Sequence, residues 1–131
     1  MFLGVISDTH GLLRPEAIRA LRGSDHILHA GDIGDIAILE QLRNLAPVTA
    51  IRGNIDRHGP CAQLAVTEWA ELAGQNVYLL HNIDDLDFDP AVAGVATVIS
   101  GHSHKPSIHR RNGVLYFNPG SAGCLPIAIN N

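Results

Sequence analysis

The chain has 131 residues, 46% hydrophobic and 17% charged, a balance that supports one packed domain and excludes the polar composition of a disordered chain. Nine Lys and Arg against thirteen Asp and Glu leave a net charge of −4, which argues against a nucleic-acid polymer or an anionic membrane as a general partner. Cys61 and Cys124 are too few for a disulfide framework, the opening MFLGVISDTHG lacks the basic stretch of a signal peptide, and no apolar run could cross a bilayer, so a cytoplasmic setting is expected.

FLGVIS (2–7) has the length and apolarity of a buried strand and runs into DTHG, where Gly11 permits a sharp turn. PEAIRALRG (15–23) reads as a helix with Pro at its start and Gly at its stop, its Ala17, Ile18 and Leu21 on one face. The order repeats as strand HILHA (26–30), loop GDIGD and helix DIAILEQLRNL (35–45), then as strand PVTAI (47–51) and loop RGNIDRHG. Strands alternating with helices imply right-handed crossovers in a mainly parallel sheet. After Pro60 the pattern changes: AQLAVTEWAEL (62–72) and NVYLLH (76–81) form an expected hairpin around AGQ. NIDDLDFDP (82–90) is a polar connection with a solvated run of Asp84, Asp85, Asp87 and Asp89, VATVIS (95–100) is a strand, and SIHRRNGVLYFN (107–118) is a hairpin turned by Asn112-Gly113.

The chemistry-bearing residues fall where the hydrophobic runs stop. Asp8 and His10 follow the first strand, Asp32 the second, Asn54 and Asp56 the third; His81 ends the hairpin strand, and His102 and His104 follow the next. Loops beyond the carboxyl ends of parallel strands are where ligands usually bind in α/β sheets. Two aspartates, one asparagine and four histidines make a set of oxygen and imidazole donors with no thiolate, suited to Mn, Fe, Zn, Ni or Co. Seven donors exceed the needs of one catalytic ion, which takes about three protein ligands, and so suggest two metals sharing a carboxylate.

The motifs DTH (8–10), GDIGD (31–35), GNID (53–56), LLH (79–81), GHSH (101–104) and NPGS (118–121), in this order across nearly the whole chain, resemble those of the calcineurin-like metallophosphoesterases, and among them the small YfcE-type phosphodiesterases. The resemblance implies an α/β fold, an αββα sandwich of two mixed β-sheets flanked by helices with a dinuclear site at the strand ends. By motif position Asp8, His10 and His104 would bind one divalent ion and Asn54, His81 and His102 the other, with Asp32 bridging; manganese comes first among the candidate metals. Asp32, Asn54 and His81 would serve catalysis, and a metal-bridging hydroxide would attack a small phosphodiester. Gly101 would let the backbone come close between the two histidines' loop and its neighbours. Asp56 is expected to orient its neighbours rather than bind metal. His29 is read as a packed strand histidine, with support of the metal site as the alternative. His26 and His109 are read as solvated, His58 as a candidate substrate contact, and Asn118 and Ser121 as closing a turn that buttresses the histidine loop.

Two departures from the family pattern stand out. The position after Gly-Asn, a proton-donating histidine in larger relatives, is Ile55, so substrates whose leaving groups depart unaided, such as aryl esters, are expected to be favoured. The basic stretch expected after NPGS is missing, and GSAG runs directly into CLPIAINN, which puts the closing strands and the loop near 121–125 of the single 1–131 domain in question. A homo-oligomer, dimer or tetramer, fits the family. A non-catalytic scaffold of the same fold, like the retromer subunit of eukaryotes, is the alternative, but that subunit has lost part of the metal set, whereas all seven positions are filled here. An amidohydrolase would need a (β/α)₈ barrel of about 200 residues or more, beyond this chain's length.

Overall fold

The computed structural model describes residues 1–121 and the backbone of 124–128. The first half winds as expected: β1 (Phe2–Ile6), α1 (Pro15–Leu21), β2 (His26–His29), α2 (Ile36–Arg43) and β3 (Val48–Ala50). Asp35 starts α2, its carboxylate accepting from the Ala37 N–H at 2.9 Å. Both helices stop earlier than their apolar pattern suggests. Arg22 turns extended after Leu21, and the Asn44 N–H folds back onto the Gln41 and Leu42 carbonyls.

The second half holds β4 (Thr67–Leu72), β5 (Gln75–Leu80), α3 (Pro90–Ala93), β6 (Thr97–Ile99), β7 (Ser107–Arg111), β8 (Val114–Asn118) and β9 (Cys124–Ala128). Ala62 and Gln63, expected to open the strand read over 62–72, instead close a 3₁₀ turn over Pro60–Gln63, where Pro60 cannot donate to a ladder and Cys61 is drawn into the helix-side core. Ala73 (φ 51°) and Gly74 (φ 75°) turn the β4–β5 hairpin, and Asn112 (φ 52°) and Gly113 (φ 81°) the β7–β8 hairpin, two left-handed residues each, as the strand twist demands. The polar connection 82–94 carries a 3₁₀ turn (Ile83–Asp85) and α3, and Asp89 of its acidic run caps α3 by accepting from the Ala91 N–H.

Two mixed sheets result, ordered β3-β2-β1-β9 and β4-β5-β6-β8-β7. β1, β2 and β3 are mutually parallel, as are β5, β6 and β8, while β9, β4 and β7 join antiparallel. The segment after NPGS thus supplies a strand, Cys124–Ala128, along β1. Leu3, Val5, Leu28, Val77, Leu79, Ile99 and Phe117 fill the space between the sheets. Alternate positions face outward: Ile6 and Ile27 pack under α1 and α2 with Leu21, Leu39 and Leu42, while Leu80, Val98 and Val114 lie under the 82–94 segment. The order of layers is therefore helix, sheet, sheet, helix, with a thin fourth layer. Trp69 and Phe88 meet Tyr78 edge-on, at 6.1 and 4.9 Å, and form no stacked platform. Among the described residues no helix is long and apolar enough to cross a membrane.

Truncating the fully buried Ile99 to Ala should cost about 2–5 kcal/mol of unfolding free energy in urea titrations, whereas Val92→Ala, at a residue 85% exposed, should change it by less than about 0.5 kcal/mol.

Candidate metal centre

The parallel strands of both sheets send their carboxyl ends to one edge, and the loops leaving them are tied there by backbone bonds. The Asp8, His10 and Gly11 N–H groups donate to the carbonyls of Gly31, Asp32 and Ile33, and the Gly101 N–H donates to His81 at 2.9 Å. Among the described residues seven non-glycine positions have left-handed backbone, and five of them are Asp8, His10, Asp32, His102 and His104. That conformation costs about 1–2 kcal/mol per residue, and its concentration on five expected ligands marks the edge as a functional site rather than a set of ordinary turns.

Glycine makes this crowding possible at two places. A Cβ on Gly53 would collide with the Asp32 carboxylate and backbone, and one on Gly101 with Ser7 Oγ and Asp8 Oδ2. The close approach expected at Gly101 is therefore to the first strand's Ser7 and Asp8.

Each aspartate has one oxygen fixed and one turned inward. Asp8 Oδ2 accepts from Ser7 Oγ at 2.6 Å and from the His102 N–H at 3.1 Å, while Asp32 Oδ1 accepts from the Ile55 N–H at 3.0 Å. The free Asp8 Oδ1 then faces the Nε2 atoms of His104 (3.6 Å), His10 (3.8 Å) and His81 (3.8 Å). Asp32 Oδ2 faces Nε2 of His81 at 3.3 Å and of His10 at 3.7 Å. Two donor groups could each hold an ion, Asp8–His10–His104 and Asp8–Asp32–His81. The Asn54 amide lies beside them, its Nδ2 3.5 Å from His102 Nδ1, and the His102 ring meets His81 edge-on at 5.2 Å. All seven expected ligands therefore share one edge.

The chemistry of His81 tests whether a cation fits. Its Nδ1 lies 2.7 Å from the Ala30 carbonyl and can only donate there, so in the neutral ring Nε2 carries a lone pair. That lone pair points at carboxylate oxygens, and among the described residues His81 Nε2 and Asp8 Oδ1 are buried without a hydrogen-bond partner. Two buried acceptors facing one another are unfavourable unless a positive charge lies between them. Donors about 2.1 Å from a tetrahedral ion stand about 3.4 Å apart, which the 3.3–3.8 Å spacings match.

The supporting residues have separate tasks. Asp56, buried, accepts from the N–H groups of Ile33, Gly34 and Gly53 at 2.9–3.1 Å, so its carboxylate ties two loops together. His29, fully buried, accepts the Gly31 N–H at Nδ1, and its Nε2 lies 3.1 Å from Thr9 Oγ1, which donates to the Ile33 carbonyl. It therefore packs and also links the first two loops. Asn118 Nδ2 donates to the Gly101 carbonyl at 2.8 Å and to Ser103 Oγ, holding the histidine loop from behind. His26, expected in solvent, is half-buried against Thr49 on the neighbouring strand, while His109 is exposed and stacks on Tyr116. His58 is exposed and lines neither of the cavities beside the donors. The sequence reading missed Ser7 and Thr9, small hydroxyl residues beside Asp8 whose partners lie far along the chain or depend on a bend.

A family model described as the calcineurin-like phosphoesterase superfamily domain matches residues 1–126. The chain is 39% identical over 132 residues to a protein of Methanothermobacter thermautotrophicus named "Probable metallophosphoesterase", covering 92% of this chain and 77% of that one. The solved structure of YfcE, a phosphoesterase from E. coli, superimposes with a TM-score of 0.70 at 25% identity, over 92% of this chain and 80% of that one. Vps29 from Entamoeba histolytica shares the fold with a TM-score of 0.80 at 23% identity, over 99% and 87% of the two chains.

Two measurements probe this site. Manganese at a hundred times its dissociation constant should add about 2.7 kcal/mol of stability, and Asp8→Asn should remove most of that gain in calorimetric melts. Burial pushes His29 down to about 4, with His81 adding to the effect and the Asp56 and Asp32 carboxylates opposing it. The folded chain then takes up this proton only near pH 4 and the unfolded chain near 6.5, so the contribution is complete above pH 6.5 and is lost as the pH falls toward 4. In chelator-treated protein, urea midpoints should report a loss of up to about 3 kcal/mol over that window, flattened in His29→Gln.

Proposed function

Because the chain belongs to the calcineurin-like phosphoesterase superfamily, we propose that it is a metal-dependent phosphodiesterase acting on a small phosphodiester. The observation that carries this reading is the pair of buried, partnerless acceptors, Asp8 Oδ1 and His81 Nε2, at the junction of two donor groups. Asp8, His10 and His104 would hold one divalent cation and Asn54, His81 and His102 a second, with Asp32 shared. The position of Asp32 Oδ2 between His10 and His81 supports that sharing. Manganese is the first choice among hard-to-borderline ions, since oxygen and imidazole donors are gathered and no cysteine is among them. When bound, such cations supply positive charge to phosphoryl oxygens and bring the pKa of water toward neutrality.

The chain's own residues do the rest. Ser7, the His102 N–H and the Ile55 N–H fix which carboxylate oxygen faces inward, so little reorganisation is needed when the anionic substrate arrives. Asn54 adds an oxygen donor without adding charge, which limits repulsion of a phosphate. Ile55 has no proton to give, so the leaving group must depart without help from that position. A scaffold that had given up catalysis would have no need to keep seven donors converged, five of them on left-handed backbone.

Purified protein with manganese should hydrolyse bis-p-nitrophenyl phosphate, and Asp32→Asn or His102→Ala should each lower kcat/KM by about 100-fold or more. Aryl diesters should be cleaved well ahead of alkyl diesters. Activity that survives both substitutions, or its absence with every divalent metal, counts against the proposal.

A further inference from the structure

Two cavities meet the donor cluster, and they differ in chemistry. One, about 340 Å³, shares Asp8, His10 and His104 with the cluster and is walled by Leu12, Leu13, Ala17 and Arg14. The other, about 440 Å³, shares Asn54 and His81 and is lined by Arg52 and Arg57. Both are of a size that takes a small ligand. The second carries a pair of guanidinium residues beside the apolar Val66 and Leu80, and the first carries one, Arg14, beside Leu12 and Leu13.

The arginine pair is held open rather than spent on structure. Arg57 Nε donates to the Asn54 carbonyl at 2.9 Å, which anchors the side chain to the loop bearing an expected ligand and leaves its terminal nitrogens for another acceptor. Among the described residues no ion pair joins Arg52 or Arg57 to a carboxylate. Two acidic residues share the cavity lining. Asp56 is sealed by three backbone N–H groups, and Asp85 is exposed on the 3₁₀ turn. The basic stretch expected after NPGS is absent from the sequence, and the loop after β3 brings two arginines to the site where the other cavity carries one, Arg14.

We propose that the Arg52–Arg57 cavity is an anion subsite, and that the preferred substrate is a phosphodiester carrying a second phosphate or carboxylate on the arm that lies beyond Asn54. The other arm then lies toward the cavity walled by Leu12 and Leu13. This rests on the phosphodiesterase reading, which places the scissile phosphate at the donor cluster between the two cavities.

The test is calorimetric, on the manganese-loaded protein, comparing thymidine 3′,5′-bisphosphate with thymidine 5′-phosphate. The second phosphate should tighten binding by about 5- to 10-fold at low salt, an advantage that shrinks as ionic strength rises. Arg52→Gln with Arg57→Gln should erase the advantage, and Asp85→Asn should enlarge it. Because Arg57 also steadies the Asn54 loop, Arg52→Gln alone provides a second reading and should remove part of the advantage. Equal affinity for the two ligands in the parent protein overturns the proposal, as does an advantage that persists in the double variant or disappears instead in Arg14→Gln. Turnover of thymidine 5′-(p-nitrophenyl phosphate), with and without a 3′-phosphate, separates the two readings. Hydrolysis of both at the same KM sinks the subsite and leaves the phosphodiesterase standing, whereas failure to hydrolyse either sinks the enzyme reading while the binding comparison still decides the subsite.

Discussion

The structure turns on two buried aspartates, Asp8 and Asp32, whose inward-facing oxygens meet imidazole nitrogens, Asp8 Oδ1 with no hydrogen-bond partner among the described residues. A carboxylate in that position is costly by several kcal/mol unless a positive charge joins it. The surrounding chain makes the arrangement unavoidable, since the outer oxygens are held by Ser7, His102 and Ile55 and cannot swing to solvent. Histidine ring nitrogens face the same space, and His81 presents a lone pair there because its one N–H, at Nδ1, donates to the Ala30 carbonyl. Fold, strain and electrostatics thus all fit an edge that could hold a metal ion.

Holding that edge requires rigid loops, and the supports are as buried as the donors. His29 and Thr9 tie the first loop to the second, Asp56 ties the second to the third, and Asn118 secures the histidine loop through the Gly101 carbonyl. Each of these side chains connects segments that come from different strands, so the left-handed conformations at five donors are over-determined by their neighbours. Glycines 53 and 101 supply the remaining condition, room for one loop to lie against the next.

The family resemblance and the chain's departures from it divide the functional account. Shared motifs place the donors; Ile55, the absent basic stretch after NPGS and the Arg52–Arg57 cavity belong to this sequence. Ile55 is 46% exposed beside the site, an apolar side chain where a proton donor would act. Arg52 and Arg57, on the loop after β3, line the cavity beside Asn54. Substrate choice in such a fold depends on these peripheral loops, because the donor set recognises only the phosphoryl group.

The sequence by itself determined most of the elements and the candidate donors. Apolar runs of strand length, Pro and Gly at helix ends and Asn112-Gly113 at a hairpin are local signals, and six motifs in order named seven expected ligands that the fold brings to one edge. It misjudged residues whose state depends on distant neighbours: Ala62 and Gln63, read as the start of a strand, belong to a turn because Cys61 finds the core under α1 and α2, and His26 is half-buried because Thr49 lies on the adjacent strand. Only the tertiary structure decided which carboxylate oxygen faces inward, which histidine nitrogen holds the lone pair, and that two arginines line a cavity with Asn54. Most of those facts rest on contacts between distant parts of the chain, such as His102 with Asp8 at a separation of 94, and no periodicity in a sequence encodes a distance of that kind.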